Sequence, residues 1–324
     1  MRRKLYLERL FDFVEENVPQ VAPSLEPKTR LKNTIGVYRF LADKLSDLPN
    51  DLQKTCVHDT VLTADFLVKF SRGESSIYKI AEKFGKHLGR TDLDVPADFI
   101  IRDNTFSDSH LFEFSDPILI GGVRHDCAIL SLGEFSEGDT NSLKYEFLAK
   151  DEYEKRKHDE TGHKKKSIAL LFPDLKPDGS FTGVSTYYVL HLMEGKTISE
   201  CVAELEHHAD IVVSKEYRDL IAFSAKCLLY IKSGEPDLVK ERGQVTTAKK
   251  EKKARAFYKT HCPFDVVNVG YGLHGTVFSK NETNVSLHCR WQRVGPELSG
   301  VKLVWVREHV RTYTKVRHGA GTSV

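Results

Sequence analysis

The chain has 324 residues, 40% of them hydrophobic and 29% charged, enough apolar content for one substantial core or two modest ones and too much for a disordered chain. Its net charge of +2 conceals two opposite ends, because residues 240–324 sum to +10 and residues 1–239 to −8. No apolar run reaches bilayer length, Glu8, Asp12, Glu15 and Glu16 break the first segment before a signal core can form, and the six cysteines lack close pairs, so a reducing cytosol is expected and a membrane is not.

Helical periodicity dominates the first ninety residues. "RRKLYLERLFDFVEENV" places Leu7, Leu10, Phe11 and Val14 on one face, and Pro19, Pro23 and Pro27 follow it as breakers. "TRLKNTIGVYRFLADKLSDL" repeats the stripe with Leu31, Ile35, Tyr38, Leu41, Ala42 and Leu45. A third helix is expected in "TVLTADFLVKFSRG" and a fourth in "SSIYKIAEKFGKHLG", capped by Ser75 or Ser76 and ended at Gly85 or Gly89.

From Pro96 the period becomes extended. "ADFIIRD", "HLFEFSDPILIGG", "VRHDCAILSLGEF", "SLKYEFLAKD", "KSIALLFPDL" and "VSTYYVLHLM" are rich in β-branched and aromatic residues and separated by turn formers. Their short spacings predict an antiparallel meander, with "DEYEKRKHDETGHKKK" as a charged exposed connection. Two helices follow, the first striped by Ile198, Val202 and Leu205, the second by Leu220, Phe223, Cys227 and Tyr230. The fold class expected is α+β, with N-terminal helices and two later helices packed on a mostly antiparallel sheet and a C-terminal β-hairpin. Four regions result: a helical region over 1–94, an α+β core over 95–239, a basic insertion over 240–262 and a β-rich region over 263–324 packed on the core.

The insertion carries Lys240, Arg242, Lys249, Lys250, Lys252, Lys253, Arg255 and Lys259 against Glu241 and Glu251, and reads as a solvated arm between core elements. Beyond it, "VSLHCRWQRVGPELSGVKLVWVREH" reads as a hairpin around a Gly-Pro turn. Strand alternation places Trp291 and Trp305 on apolar faces, where they fill a core, and gathers His288, Arg290 and Gln292 on the other. That row, with Lys302, Arg307, His309 and Arg311, suits either a solvated edge or the binding of phosphate or peptide carboxylate beside the arm residues Lys249, Lys250, Lys252, Lys253 and Arg255.

Catalytic patterns are sparse. "GGVRHD" and "VGYGLHG" lack the spacing and the Lys-Ser/Thr ending of a phosphate loop. The His261-Cys262 and His288-Cys289 pairs would offer one zinc ligand per strand face, and "EHHAD" lacks the i, i+4 histidines of a metalloprotease, so neither a metal nor a cofactor is expected. A histidine-based ribonuclease or toxin using His288 with Arg290 or Lys302 is the alternative reading.

"LLYIKSGEPDL", a basic insertion, "HCRWQRVG" and "VKLVWV", preceded by "VPADFIIRD", "SIALLFPDL" and "KTISECVAEL", occur in an order that resembles a phage- and plasmid-borne family that includes an anti-CRISPR protein directed at type V-A systems. The resemblance runs from Val95 onward. It implies a non-catalytic binding protein of a mobile genetic element that lowers production of the effector nuclease by recognising a nascent polypeptide, a ribosome or an RNA. Host translation machinery would be its partner, with no small-molecule cofactor, and no catalytic residue is implied.

Overall fold

The computed structural model describes residues 2–44, 50–91, 93–101, 109–136, 164–209, 212–232, 238–248, 250–270, 282–285, 288–294, 300–306 and 309–312, the last four as backbone. Three N-terminal helices, α1 (Tyr6–Asn17), α2 (Pro27–Lys44) and α3 (Asn50–Ser71), precede the strand β1 (Ser76–Ile80) and the helices α4 (Glu82–Arg90) and α5 (Ala97–Ile101). Four long strands follow as a meander: β2 (Ser109–Ile120), β3 (Val123–Ser136), β4 (Lys164–Leu175) and β5 (Phe181–His191). Helices α6 (Ile198–Ala209) and α7 (Lys215–Lys232), strand β6 (Leu238–Glu241), helix α8 (Glu251–Tyr258) and strand β7 (Val266–Val269) complete the core.

One seven-stranded sheet, ordered β5-β4-β3-β2-β1-β7-β6, organises these elements. It is mostly antiparallel, as the spacings predict, and only β1 is parallel to its neighbours, β2 and β7. Register explains the two cores. Leu111, Ile129 and Leu171 are cross-strand partners beneath α1, α2 and α3, whereas Leu132, Ile168 and Leu190 are partners on the face covered by α4, α5, α6 and α7. A sheet covered on both faces needs apolar residues at successive positions, which is why "CAIL" and "IALLF" run without alternation. The fold class is α+β, in three layers.

The expected stripe of the first helix is correct: Leu7, Leu10, Phe11 and Val14 are all buried against the sheet. In α2, Tyr38 and Ala42 are buried and Leu31 and Ile35 half-buried, but Leu41 is exposed. Two expected elements differ from those observed. "SSIYKI" is a strand and not the start of a helix: Ile77 enters the core under α1–α3 and Ile80 the opposite one, which alternation permits and a helical i, i+3 pair does not. "ADFII" is a short helix and not a strand, with Ala97, Ile100 and Ile101 buried at i, i+3 and i+4 just after Pro96. The strand expected in "SLKYEFLAKD" and the charged connection after it lie outside the described residues, apart from the lysines that open β4.

Four further strands, β8 (Glu282–Val285), β9 (His288–Val294), β10 (Gly300–Val306) and β11 (His309–Thr312), form two antiparallel ladders, β9 with β10 and β8 with β11. The β9–β10 hairpin is the one expected around Gly295-Pro296.

Candidate nucleic-acid interface

The basic insertion connects two adjacent antiparallel strands, β6 at the sheet edge and β7 inside it. It is therefore an elaborated hairpin connection, and it is more structured than the solvated arm expected. Ala254, Phe257 and Tyr258 recur at i, i+3 and i+4; Ala254 is buried and the two rings are half-buried, so α8 has an apolar side despite its lysines. His261 stacks on Phe257 with ring centroids 4.2 Å apart. The ends of the connection are tied by Gln244 N–H donating to the Cys262 carbonyl at 2.8 Å and Gly243 N–H donating to Asp265 at 2.7 Å. Gly243 is required there, since a Cβ would stand 2.5 Å from the Phe264 carbonyl carbon and 2.6 Å from the Pro263 oxygen. Thr246 N–H donates to the Tyr258 hydroxyl at 3.3 Å, and Arg2 N–H to the Lys259 carbonyl at 3.2 Å, joining the helix to its connection and to the N-terminal segment.

With its apolar side fixed, α8 turns its cations outward. Lys250, Lys252, Lys253, Arg255 and Lys259 are exposed, as are Lys240 and Arg242 beside them on the β6 edge; Lys249 lies outside the described residues. Lys252 and Lys253 make no ion pair among the described residues, and both sit in the first helical turn. Lys250, the residue before the helix, supplies no side-chain cap to the first amides. The Lys253 and Ala254 amides both donate to the Lys250 carbonyl at 3.1 Å; clustered lysines at the positive end of a helix dipole disfavour the isolated helix but match an incoming phosphate.

The neighbouring groove of about 750 Å³, between α1, the start of α2 and the end of α8, is electrically different. Three of its four carboxylates are occupied, Glu16 having no ion pair among the described residues: Arg2 binds Glu8, Lys4 binds Asp12, and Arg30 binds Asp12 at 2.7 Å and Glu15 at 2.8 Å while lying over the Phe11 ring. Opposite charges of α1 and α2 largely neutralise one another there; Arg255 and Lys259 reach the groove's rim, and Lys252 and Lys253 lie outside its lining.

The remaining predicted site residues fall on the C-terminal ladders. Backbone register sets His288 opposite Val306, Arg290 opposite Val304 and Gln292 opposite Lys302, alternating with Cys289–Trp305 and Trp291–Leu303 as the sequence pattern requires. His309 and Arg311 belong to the other ladder, opposite Val285 and Thr283, and Arg307 lies outside the described residues. The core assignment of Trp291 and Trp305 concerns side chains outside the description.

Two polar clusters inside the sheet escaped the sequence reading, which took "GGVRHD" only as a failed phosphate loop. Asp126, fully buried on β3, accepts from Arg9 at 3.0 Å and from Arg124 at 2.7 and 3.0 Å, with Arg3 at 3.4 Å. Burial alone would raise its pKa, but the Arg124 hydrogen bonds and the Arg3 and Arg9 charges outweigh burial and hold it below the ordinary value. Glu113, next to it, accepts from Tyr6 N–H, and burial pushes its pKa up to about 7 against the pull of Arg9 and Arg3. This cluster fastens the N-terminal segment to the sheet.

On the opposite face, His125 Nδ1 donates to the Pro173 carbonyl at 3.3 Å, which leaves Nε2 to accept from the Tyr217 hydroxyl at 3.1 Å. Thr186 meets that hydroxyl at 3.1 Å, and Asp174 lies 3.7 Å from Nδ1. Burial lowers the His125 pKa and raises that of Asp174. The cluster ties α7 to β3, β4 and β5. Among the described residues no group of three or more His, Cys, Asp or Glu could hold a metal ion, and the thiols of Cys127, Cys201 and Cys227 are buried with raised pKa values. No described helix is long and apolar enough to cross a membrane.

No protein-family model, curated protein or solved structure matches the chain.

Proposed function

We propose that this protein binds RNA, free or on the ribosome, through the outward face of α8 and the β6 edge. The observation that carries the reading is the coincidence of exposed Lys252 and Lys253, which make no ion pair among the described residues, with a helix N-terminus that has no side-chain cap. An RNA backbone supplies the regularly spaced anions that such a surface lacks, and the binding would release condensed counterions. Eight residues of helix span about 12 Å, so α8 contacts a short stretch of backbone, and further contacts come from Lys240, Arg242 and the cations of the C-terminal ladders.

The finer reading rests on the family resemblance. The protein acts in the cytosol as an anti-CRISPR-like factor of a mobile element, and RNA contact at the translation machinery lowers production of a type V-A effector. The alternative, a histidine-based nuclease, rests on His288 with Arg290 or Lys302, whose side chains lie outside the described residues; near α8, His261 stacks on Phe257 with its Nδ1 bonded to the Phe257 carbonyl at 3.0 Å. Fluorescence anisotropy with a labelled single-stranded RNA tests the binding: the Lys252→Glu/Lys253→Glu variant should bind on the order of 100-fold more weakly, at about 1.4 kcal/mol per charge reversed. Equal affinity in the two proteins would refute the assignment of α8.

A further inference from the structure

A second groove, of about 430 Å³, lies between α4 and α7 at the irregular stretch of β2 around Phe114–Ile118, on the face of the sheet opposite α1–α3. Its floor is apolar, made by Ile80, Phe114, Leu220 and Phe223, with Phe223 meeting Phe114 edge to face at 5.4 Å. It stays open because α4 presents glycines one turn apart. A Cβ at Gly85 would make only ordinary contacts with Ile80 and Phe223, and a Cβ at Gly89 would meet nothing within 4 Å.

The rim is acidic. Glu82, Asp116, Glu216 and Asp219 line the groove against two cations, both engaged: Lys86 lies between Glu82 and Asp116, and Lys226 donates to the Thr91 carbonyl at 2.6 Å. The α7 wall thus keeps Glu216 and Asp219, three residues apart on one helical face, without a salt bridge among the described residues, although the Lys215 charge acts on Glu216. The Glu216 pKa is lowered, chiefly by a hydrogen bond from its own backbone amide.

From this combination we propose that the α4–α7 groove is a docking site for a cationic amphipathic segment of a partner polypeptide, seating a bulky apolar side chain on the Phe114–Phe223 floor and placing lysine or arginine against Glu216 and Asp219. The volume suits one or two large side chains and falls in the range of ligand sites, about 300–1,000 Å³. Charge complementarity selects the sign of the partner, and the apolar floor requires an anchor that a plain polycation lacks. The site lies within the acidic part of the sequence and is separate from the α8 face, so it does not depend on the RNA reading.

Isothermal titration against a synthetic 14-residue helical peptide of leucine and lysine tests this, with a lysine-only peptide and a leucine-glutamate peptide of the same length as comparisons. The leucine-lysine peptide should bind, and the other two should not. Gly89→Leu, whose Cβ meets nothing within 4 Å, should keep the wild-type melting temperature or raise it, and should abolish binding; Glu216→Lys/Asp219→Lys should raise Kd on the order of tenfold. Binding that survives Gly89→Leu, or equal binding of the lysine-only peptide, would overturn the proposal. So would a concentration-dependent dimer in sedimentation that Gly89→Leu abolishes, because a second copy would then be the occupant.

Discussion

Asp126 shows how a buried charge is tolerated and what it holds. It has no solvent exposure and is surrounded by Arg3, Arg9 and Arg124, of which Arg9 is itself buried. Asp126→Ala leaves Arg9 without its partner in the interior and should destabilise the fold by about 3–5 kcal/mol in urea denaturation, the range for breaking a buried pair from one side. A loss below about 1 kcal/mol would mean that the cluster does not hold the N-terminal segment. Glu113 adds a pH dependence of definite sign. Its folded pKa of about 7 exceeds the ordinary 4.5, so between these values the folded state retains a proton that the unfolded state releases. Stability falls as pH rises through that window, by roughly 3 kcal/mol, and Glu113→Gln should flatten the curve there. His125 acts in the opposite direction: with its folded pKa lowered, the unfolded chain takes up the proton first, so stability is lost as pH falls below about 6.5. His125→Asn should remove that acid-side slope; denaturant titrations over the pH range separate the two.

At the scale of elements, α8 depends on a backbone contact as much as on its apolar side. Gly243→Val would drive side-chain atoms into the Pro263–Phe264 backbone, so it should loosen the connection and accelerate tryptic cleavage between Lys250 and Lys259 by about tenfold for each 1.4 kcal/mol of local stability lost. Unchanged cleavage would show that the close approach is relieved elsewhere. The same element shows where the sequence was legible. The stripes of α1 and α7 and the meander strands β2–β5 are readable because their apolar period is uninterrupted. The Ala254, Phe257, Tyr258 period was present too, but five lysines and an arginine around it masked a helix only eight residues long. β1 was misread because isoleucines at positions one and four of "IYKI" match the helical period, and in a strand that spacing buries both only where the sheet has a core on each face. The cations of the site were identifiable by charge alone, whereas the α4–α7 groove and the His125 cluster join residues more than ninety positions apart and left no local pattern.

For the whole molecule, the opposite net charges of residues 1–239 and 240–324 give the two proposed surfaces opposite preferences. Under the proposed function RNA would be drawn to the β6–α8 edge and repelled from the rest, so its association rate should fall with ionic strength while the groove still accepts a cationic peptide. The central claim is that the α8 lysines neutralise RNA phosphates, and the slope of log affinity against log salt tests it most directly. The account predicts a steep negative slope for the wild type, reduced by roughly 0.7 for each of Lys252→Ala and Lys253→Ala. A wild-type affinity that does not change with salt, or a slope that both substitutions leave unaltered, would contradict it.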